Sequence, residues 1–197
     1  MYALVESGSI TKIFTNPKGF VLNNNQYPAD IFSKWTKDEK EAIGIYEVET
    51  DSTNFKDEKW YINTNESYAF GSGKVTRSWG TATAKAHADT LWTQEDEDAG
   101  LGTKDDVAVE GLKTQLIRDV KGQAESILNQ TDWYVTRKAE EDTAIPSEIT
   151  NHRKAVRTKQ AAMETAITNA ADTAALETLY ARDSNGDRPL GDIPTLE

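Results

Sequence analysis

Two histidines, thirty-three carboxylates and no cysteine set the limits on the chemistry open to this chain of 197 residues. His87 lies in an Ala/Thr-rich run with no acidic or basic partner at useful spacing. His152 falls on the apolar stripe of an expected helix, where a hydrogen-bonded seam histidine is the commoner fate, and no HExxH pattern accompanies it. No GxSxG elbow is present, and no Ser-His-Asp or Cys-His set can be assembled. Without cysteine there is neither a disulfide framework nor a thiolate metal site. Glycoside hydrolysis needs one carboxyl group with a raised pKa in a dry pocket. Glu95-Asp96-Glu97-Asp98 are instead neighbours in a polar run, the pattern of a solvated loop. Asp183-Ser184-Asn185-Gly186-Asp187 sets oxygens at alternate positions, as a calcium loop would. Its glycine is at the wrong offset, however, and no Glu follows at the twelfth position. A type I′ turn around Asn185-Gly186 explains the same residues. Gly71-Ser72-Gly73 precedes a strand pattern, not a helix, so it does not form a phosphate cradle. These residues predict a non-enzyme with no catalytic residue, no metal and no cofactor.

Contact chemistry is better represented. The segment Thr131-Asp132-Trp133-Tyr134-Val135-Thr136-Arg137, followed by Glu140, Ile145-Pro146, Arg153 and Arg157, gathers the residue types enriched at binding hot spots. Trp133, Tyr134, Arg137, Arg153 and Arg157 are the candidate partner-binding residues. The segment can also be read as a helical-hairpin corner, with Trp133 as its plug and Arg137 near an acid; the two readings are compatible. A second aromatic set, Trp60, Tyr61, Tyr68 and Trp79, could form a sugar-binding face. Alternation of this kind more often places one aromatic face in a core.

The elements that would carry these residues change character along the chain. Tyr2 to Val5 and Ile10 to Phe14 flank the turn Glu6-Ser7-Gly8-Ser9. Phe20-Val21-Leu22 and Gln26-Tyr27 flank Asn23-Asn24-Asn25. Ile31, Phe32 and Trp35 share a helical face, and Thr36-Lys37-Asp38-Glu39 fits a capping box before a helical turn ending near Gly44. Ile45, Tyr46 and Val48 resume a strand, Trp60-Tyr61-Ile62 suggests another, and a hairpin turns at Gly71-Ser72-Gly73. From Asp106 the period is helical. Val109, Leu112, Leu116, Val120, Ala124, Ile127 and Leu128 form one stripe; Ile149, His152, Val156, Met163, Ile167, Ala170 and Ala174 form another. Pro146 suits a first helical position, and Asp172 suits the cap of a last short helix holding Leu176, Leu179 and Tyr180.

The fold expected is therefore α+β: a small, mainly antiparallel β domain with a short helix over residues 1–80, then a C-terminal helical hairpin over 107–182. Residues 81–106 read as an acidic linker, with Trp92 as a pin, and 183–197 as an irregular tail. The hydrophobic fraction of 37% and mean hydropathy of −0.66 are lean for one globule. Amphipathic helices that need partners would account for this. The formal net charge of −11 shows no footprint for nucleic acid and repels anionic membranes. No apolar run is long enough to span a bilayer or to serve as a signal-peptide core.

Three blocks of sequence resemble a diverse group of small tailed-phage proteins associated with tail-fibre assembly or with the tail and baseplate. The first is Met1-Tyr2-Ala3-Leu4-Val5 with Gly8 and Ile10. The second runs from Tyr27-Pro28 through Ile31-Phe32, Trp35-Thr36 and Glu39 to Ala42-Ile43-Gly44-Ile45-Tyr46. The third, the most specific, is Asp132-Trp133-Tyr134 with Thr136-Arg137, Glu140, Ile145-Pro146, Arg153 and Arg157. The resemblance covers roughly half the chain. It implies a non-catalytic role in building the tail near fibres or baseplate, and it supplies no active-site residues. The expectations that follow are a virion tail protein, assembled in the host cytoplasm, with other phage tail proteins as partners. Virions are built by symmetric repetition, so a homo-oligomer is expected, with no nucleic-acid or membrane partner. The alternatives are an assembly chaperone absent from the mature virion and a carbohydrate-binding adhesin module.

Overall fold

Ser7 and Gly8, at φ of 50° and 78°, turn the chain back on itself after its first strand. Two successive left-handed residues give the turn whose twist matches that of the flanking strands. In the computed structural model, which describes residues 1–196, this hairpin joins β1 (Tyr2–Glu6) to β2 (Ser9–Phe14). Asn23 and Asn24, also left-handed, do the same for β3 (Phe20–Leu22) and β4 (Asn25–Tyr27). Two short helices follow, α1 (Ile31–Lys34) and α2 (Lys37–Ala42). The capping box forms as the sequence implies: the Thr36 hydroxyl accepts from Glu39 N–H, and Glu39 Oε2 accepts from Thr36 N–H at 2.8 Å. Gly44, at φ 80°, packs against the Val5 carbonyl, where a Cβ would collide, and leads into β5 (Ile45–Thr50).

After β6 (Tyr61–Ile62), a hairpin turning at Ser72-Gly73 joins β7 (Ser67–Gly71) to β8 (Lys74–Ser78). The main sheet has the order β2-β1-β5-β8-β7. All its junctions are antiparallel except β5–β8, where Val48 lies opposite Val75 in a parallel pair. Successive residues of β1 point to opposite faces, and each face carries its own apolar cluster. Leu4 joins Phe14, Phe20, Ile31, Phe32 and Ile45. Ala3 and Val5 join Val75, with Tyr46, Val48 and Phe70 packed beside them. Trp60 and Tyr61 are buried as well.

The chain divides into two compact units, Met1–Thr83 and Ala84–Glu197. The second follows β9 (Thr83–Ala84) and contains β10 (Thr90–Leu91), α3 (Gln94–Asp98), β11 (Val107–Val109), α4 (Leu112–Asn129), α5 (Asp132–Glu141), α6 (Ser147–Asn169) and α7 (Thr173–Tyr180). The stripe Leu112, Leu116, Val120 and Ala124 of α4 is buried, as are Ile149, Val156, Met163 and Ile167 of α6, and the two helices pack together as the expected hairpin. Asp172 caps α7, its carboxylate accepting from Ala175 N–H at 2.8 Å.

Five details differ from the reading of the sequence. Val109 is not on α4 but in β11, where it is exposed: it alternates with Val107 at the two-residue period of a strand, and the extended Gly111 cap starts the helix only at Leu112. The hairpin corner is itself the helix α5, with a side chain exposed or half-buried at every position. Pro146 is the cap of α6, one residue before the helix begins. Within residues 81–106 most side chains are exposed, yet the backbone is ordered by β10–β11 pairing and by α3 rather than running as a plain linker. In the tail, Leu190 and Ile193 are buried, and Leu190 N–H donates to Leu179 O at 3.0 Å. Among the described residues no helix is long and apolar enough to cross a membrane.

Candidate functional site

The carbonyls in the last turn of α4 have no partners further along the helix, and one of them organises the corner. Leu128 O accepts from Thr131 N–H and Thr131 Oγ1, each at 3.0 Å, and from Arg153 Nη1 at 2.7 Å. The same Arg153 nitrogen donates to Thr131 Oγ1 at 2.7 Å, while Nη2 pairs with Asp132 Oδ1 at 2.7 Å. A cation at a helix C-terminus and an anion in the first turn of the next helix both complement the helix dipoles. Arg153 is only 8% exposed. It therefore ties the end of α4, the start of α5 and the body of α6 into one joint. Expected as a partner-binding residue, Arg153 is instead largely internal. It takes the stripe position assigned to His152, which is half-buried with its Nε2 unpartnered among the described residues.

The joint fixes α5, and α5 displays the other candidates. Trp133 is 52% exposed, so it does not plug the corner; buried Thr131 and Arg153 fill that place. The Trp133 and Tyr134 rings lie 4.0 Å apart between centroids at an interplanar angle of 34°. The Arg137 guanidinium sits 4.5 Å from the Trp133 centroid and 5.4 Å from that of Tyr134. Positions i and i+4 meet on one helix face, so Trp133 and Arg137 are brought together by local geometry alone. Arg137 stacks on the two rings instead of pairing with an acid, and its buried Nε has no hydrogen-bond partner among the described residues. Val135 is exposed beside them. Arg157 is exposed on α6 and lines, with Lys121, Glu125, Asn129, Asp132 and Arg153, an open cavity of about 460 Å³. The five candidates thus separate into an aromatic–guanidinium stack whose Trp133 is exposed and whose Tyr134 and Arg137 are half-buried, an internal tie and one surface arginine.

The remaining candidates find structural partners. Asp96 accepts from Thr93 N–H at 2.9 Å in a second capping box, and this bond holds its carboxyl below the usual range. Asp183 Oδ1 accepts from the N–H groups of Asn185 and Asp187, so that carboxylate already serves its own loop. Gly186 alone there has positive φ, and its N–H donates to Asp183 O. The turn is therefore a bulged one and not the expected type I′ form. Among the described residues no three His, Asp or Glu side chains converge as a metal site would require. Of the four aromatics considered as a sugar-binding face, Trp60 and Tyr61 are buried and Tyr68 and Trp79 half-buried. Glu66 accepts from Tyr68 and Arg77, which lowers its pKa and raises that of Tyr68.

Two roles are not legible in the sequence: that of Thr131, which opens the singled-out segment without being one of its partner-binding candidates, and that of Asp89. Thr131 is 2% exposed and completes the joint. Asp89 caps α4 from a distance of 22 positions: Oδ1 accepts from Gly111 N–H and Oδ2 from Thr114 Oγ1, each at 2.7 Å. Ala86 O and His87 O accept from Leu112 and Lys113 N–H, so the N-terminal turn of α4 is satisfied by the strand-like segment before β10. No family model, curated protein or solved structure matches this chain.

Proposed function

We propose that this chain is a non-enzymatic structural protein of a phage tail, making protein–protein contacts near the tail fibres or baseplate. The single observation that carries the docking role is the Trp133–Tyr134–Arg137 stack on α5, in which the half-buried Tyr134 and Arg137 hold the Trp133 ring with about half its surface open to solvent. Large rings held in place before binding lose little conformational freedom when a partner covers them. Tryptophan, tyrosine and arginine are also the side chains whose truncation most often costs an interface dearly. Because α5 is anchored through Arg153, the stack is presented on a fixed joint rather than on a mobile loop.

The assignment to phage tails rests on the three resembling blocks. Support comes from a coincidence of position: the most specific block, around Asp132-Trp133-Tyr134 and Arg137, is the part of the second unit that presents the stack. A Trp133→Ala variant tests the docking role against tail proteins encoded beside this chain. Loss of about 2 kcal/mol or more of association, roughly thirtyfold in affinity, is expected with thermal unfolding unchanged. A lowered melting temperature with unchanged association would make Trp133 a structural residue and remove the basis for the docking surface.

A further inference from the structure

Residues 90–109 carry a second surface, unrelated to the stack on α5. Leu91, Leu101, Val107 and Val109 are all exposed, Leu101 at 62% and Val109 at 64%. Val107 and Val109 point outward while Ala108 between them is half-buried, so one face of β11 is turned to solvent. Leu91 lies directly opposite Val107 in the β10–β11 pair and shares that face. Single exposed aliphatics are ordinary, and Leu101 lies outside the strands, but the three of Leu91, Val107 and Val109 gathered on one short ribbon mark an interaction surface.

The frame that holds them is well bonded. Trp92 N–H donates to Asp106 O at 2.9 Å, and Asp105 N–H to Trp92 O at 3.0 Å. The Trp92 indole packs on Gly102, where any side chain would strike it. The Thr93–Asp96 capping box opens α3. At its end, Gly100 N–H donates to Glu97 O and Leu101 N–H to Asp96 O, the paired bonds of a Schellman close. The chain thus spends a capping box, a helix stop and a buttressing tryptophan on a ribbon whose aliphatics face water.

Charge selects the occupant. Residues 90–110 hold seven carboxylates against the single Lys104. Glu95, Glu97, Asp98, Asp105, Asp106 and Glu110 are exposed and Asp96 is half-buried, on the segments that run into and out of the apolar ribbon. A second copy of this chain would bring like charges together at the rim. We propose that the β10–β11 ribbon docks a protein partner that presents an aliphatic patch bordered by lysine or arginine. Rim charge of this kind sets the speed and salt dependence of association, and the aliphatic centre sets its lifetime.

The probe is a synthetic amphipathic helix with leucine on one face and lysine on the other, titrated against the full chain. A version with glutamate in place of lysine serves as its counterpart. The lysine helix should bind and lose about tenfold or more in affinity between low and high salt, and the glutamate helix should not bind. The double variant Val107→Ser with Val109→Ser keeps every charge; it should weaken binding about tenfold or more, with thermal unfolding unchanged because both side chains are exposed. Glu95→Gln with Asp98→Asn and Asp105→Asn should weaken binding and flatten its salt dependence, and Trp133→Ala should leave it intact. The proposal is overturned if the parent chain fails to bind the lysine helix, or if the valine variant binds it as tightly as the parent. It is also overturned if sedimentation shows self-association that the valine changes abolish, because the occupant would then be a second copy.

Discussion

Arg153→Ala should be the most damaging single change in the second unit among its charged positions. The substitution removes two hydrogen bonds from a charged donor, to Leu128 O and to Thr131 Oγ1. Bonds of that class contribute about 1.5–3 kcal/mol each. The ion pair with Asp132 adds less than about 1 kcal/mol, since Asp132 is half exposed and is hydrated when its partner leaves. Leu128 O keeps its bonds from Thr131, which limits the loss at the acceptors. A net loss of about 3 kcal/mol follows, at the lower end of what breaking a buried pair costs. For a unit of this size that corresponds to a melting temperature lower by about 12 °C. Urea unfolding followed by helical circular dichroism measures it, with Arg157→Ala as the comparator. Arg157 is exposed, and its removal should change stability by less than about 0.5 kcal/mol. Arg153→Lys should fall between the two, because an ammonium keeps the charge but cannot span three acceptors. Equal, small effects at 153 and 157 would refute the picture of an internal tie.

Asp89 predicts an acid limb in the stability of the second unit. The Thr114 hydroxyl and the Gly111 N–H lower its pKa in the folded state, in that order of importance. Its contribution is therefore complete above the unfolded value of about 4 and is lost as pH falls through the lower folded value. Melting temperatures recorded from neutral pH down to about pH 2 should show this decline in the parent chain and a shallower one in Asp89→Asn. Identical slopes would mean that Asp89 does not cap α4. Trp92→Ala should free the ribbon from its buttress, so trypsin should cleave after Lys104 much sooner than in the parent chain. Unchanged digestion would show that Gly102 and the backbone bonds hold the segment without the indole.

The parts of the fold legible in the sequence are those written in neighbouring residues. Ser7-Gly8, Asn23-Asn24 and Ser72-Gly73 announce their turns through residue types that accept positive φ. Thr36 and Glu39 announce a helix start three positions apart. The α4 and α6 stripes are visible from apolar spacing alone, and with them the hairpin. What escaped depends on partners far along the chain. The parallel β5–β8 junction joins strands separated by residues 51–73, and no local pattern encodes which edge a strand will take. Asp89 looks like one more polar residue until Gly111 and Thr114 arrive 22 and 25 positions later. Position 153 has the correct spacing for the buried stripe, four after Ile149 and three before Val156. A charged side chain there reads as surface, because the carbonyl and hydroxyl that satisfy it come from the end of another helix. The acidic segment misled in the opposite sense. Its composition suggests a linker, while Thr93 and Asp96, three apart, already spell the cap of α3.

Quantitative mass spectrometry of purified phage particles, compared with the lysate they came from, tests the central claim most directly. A structural tail protein should be retained through purification at a fixed, small-integer ratio to the known tail components, and Trp133→Ala should reduce that ratio in proportion to its weakened association. A chain abundant in the lysate but absent from finished particles would contradict the structural role and point to an assembly factor that leaves before the tail is complete.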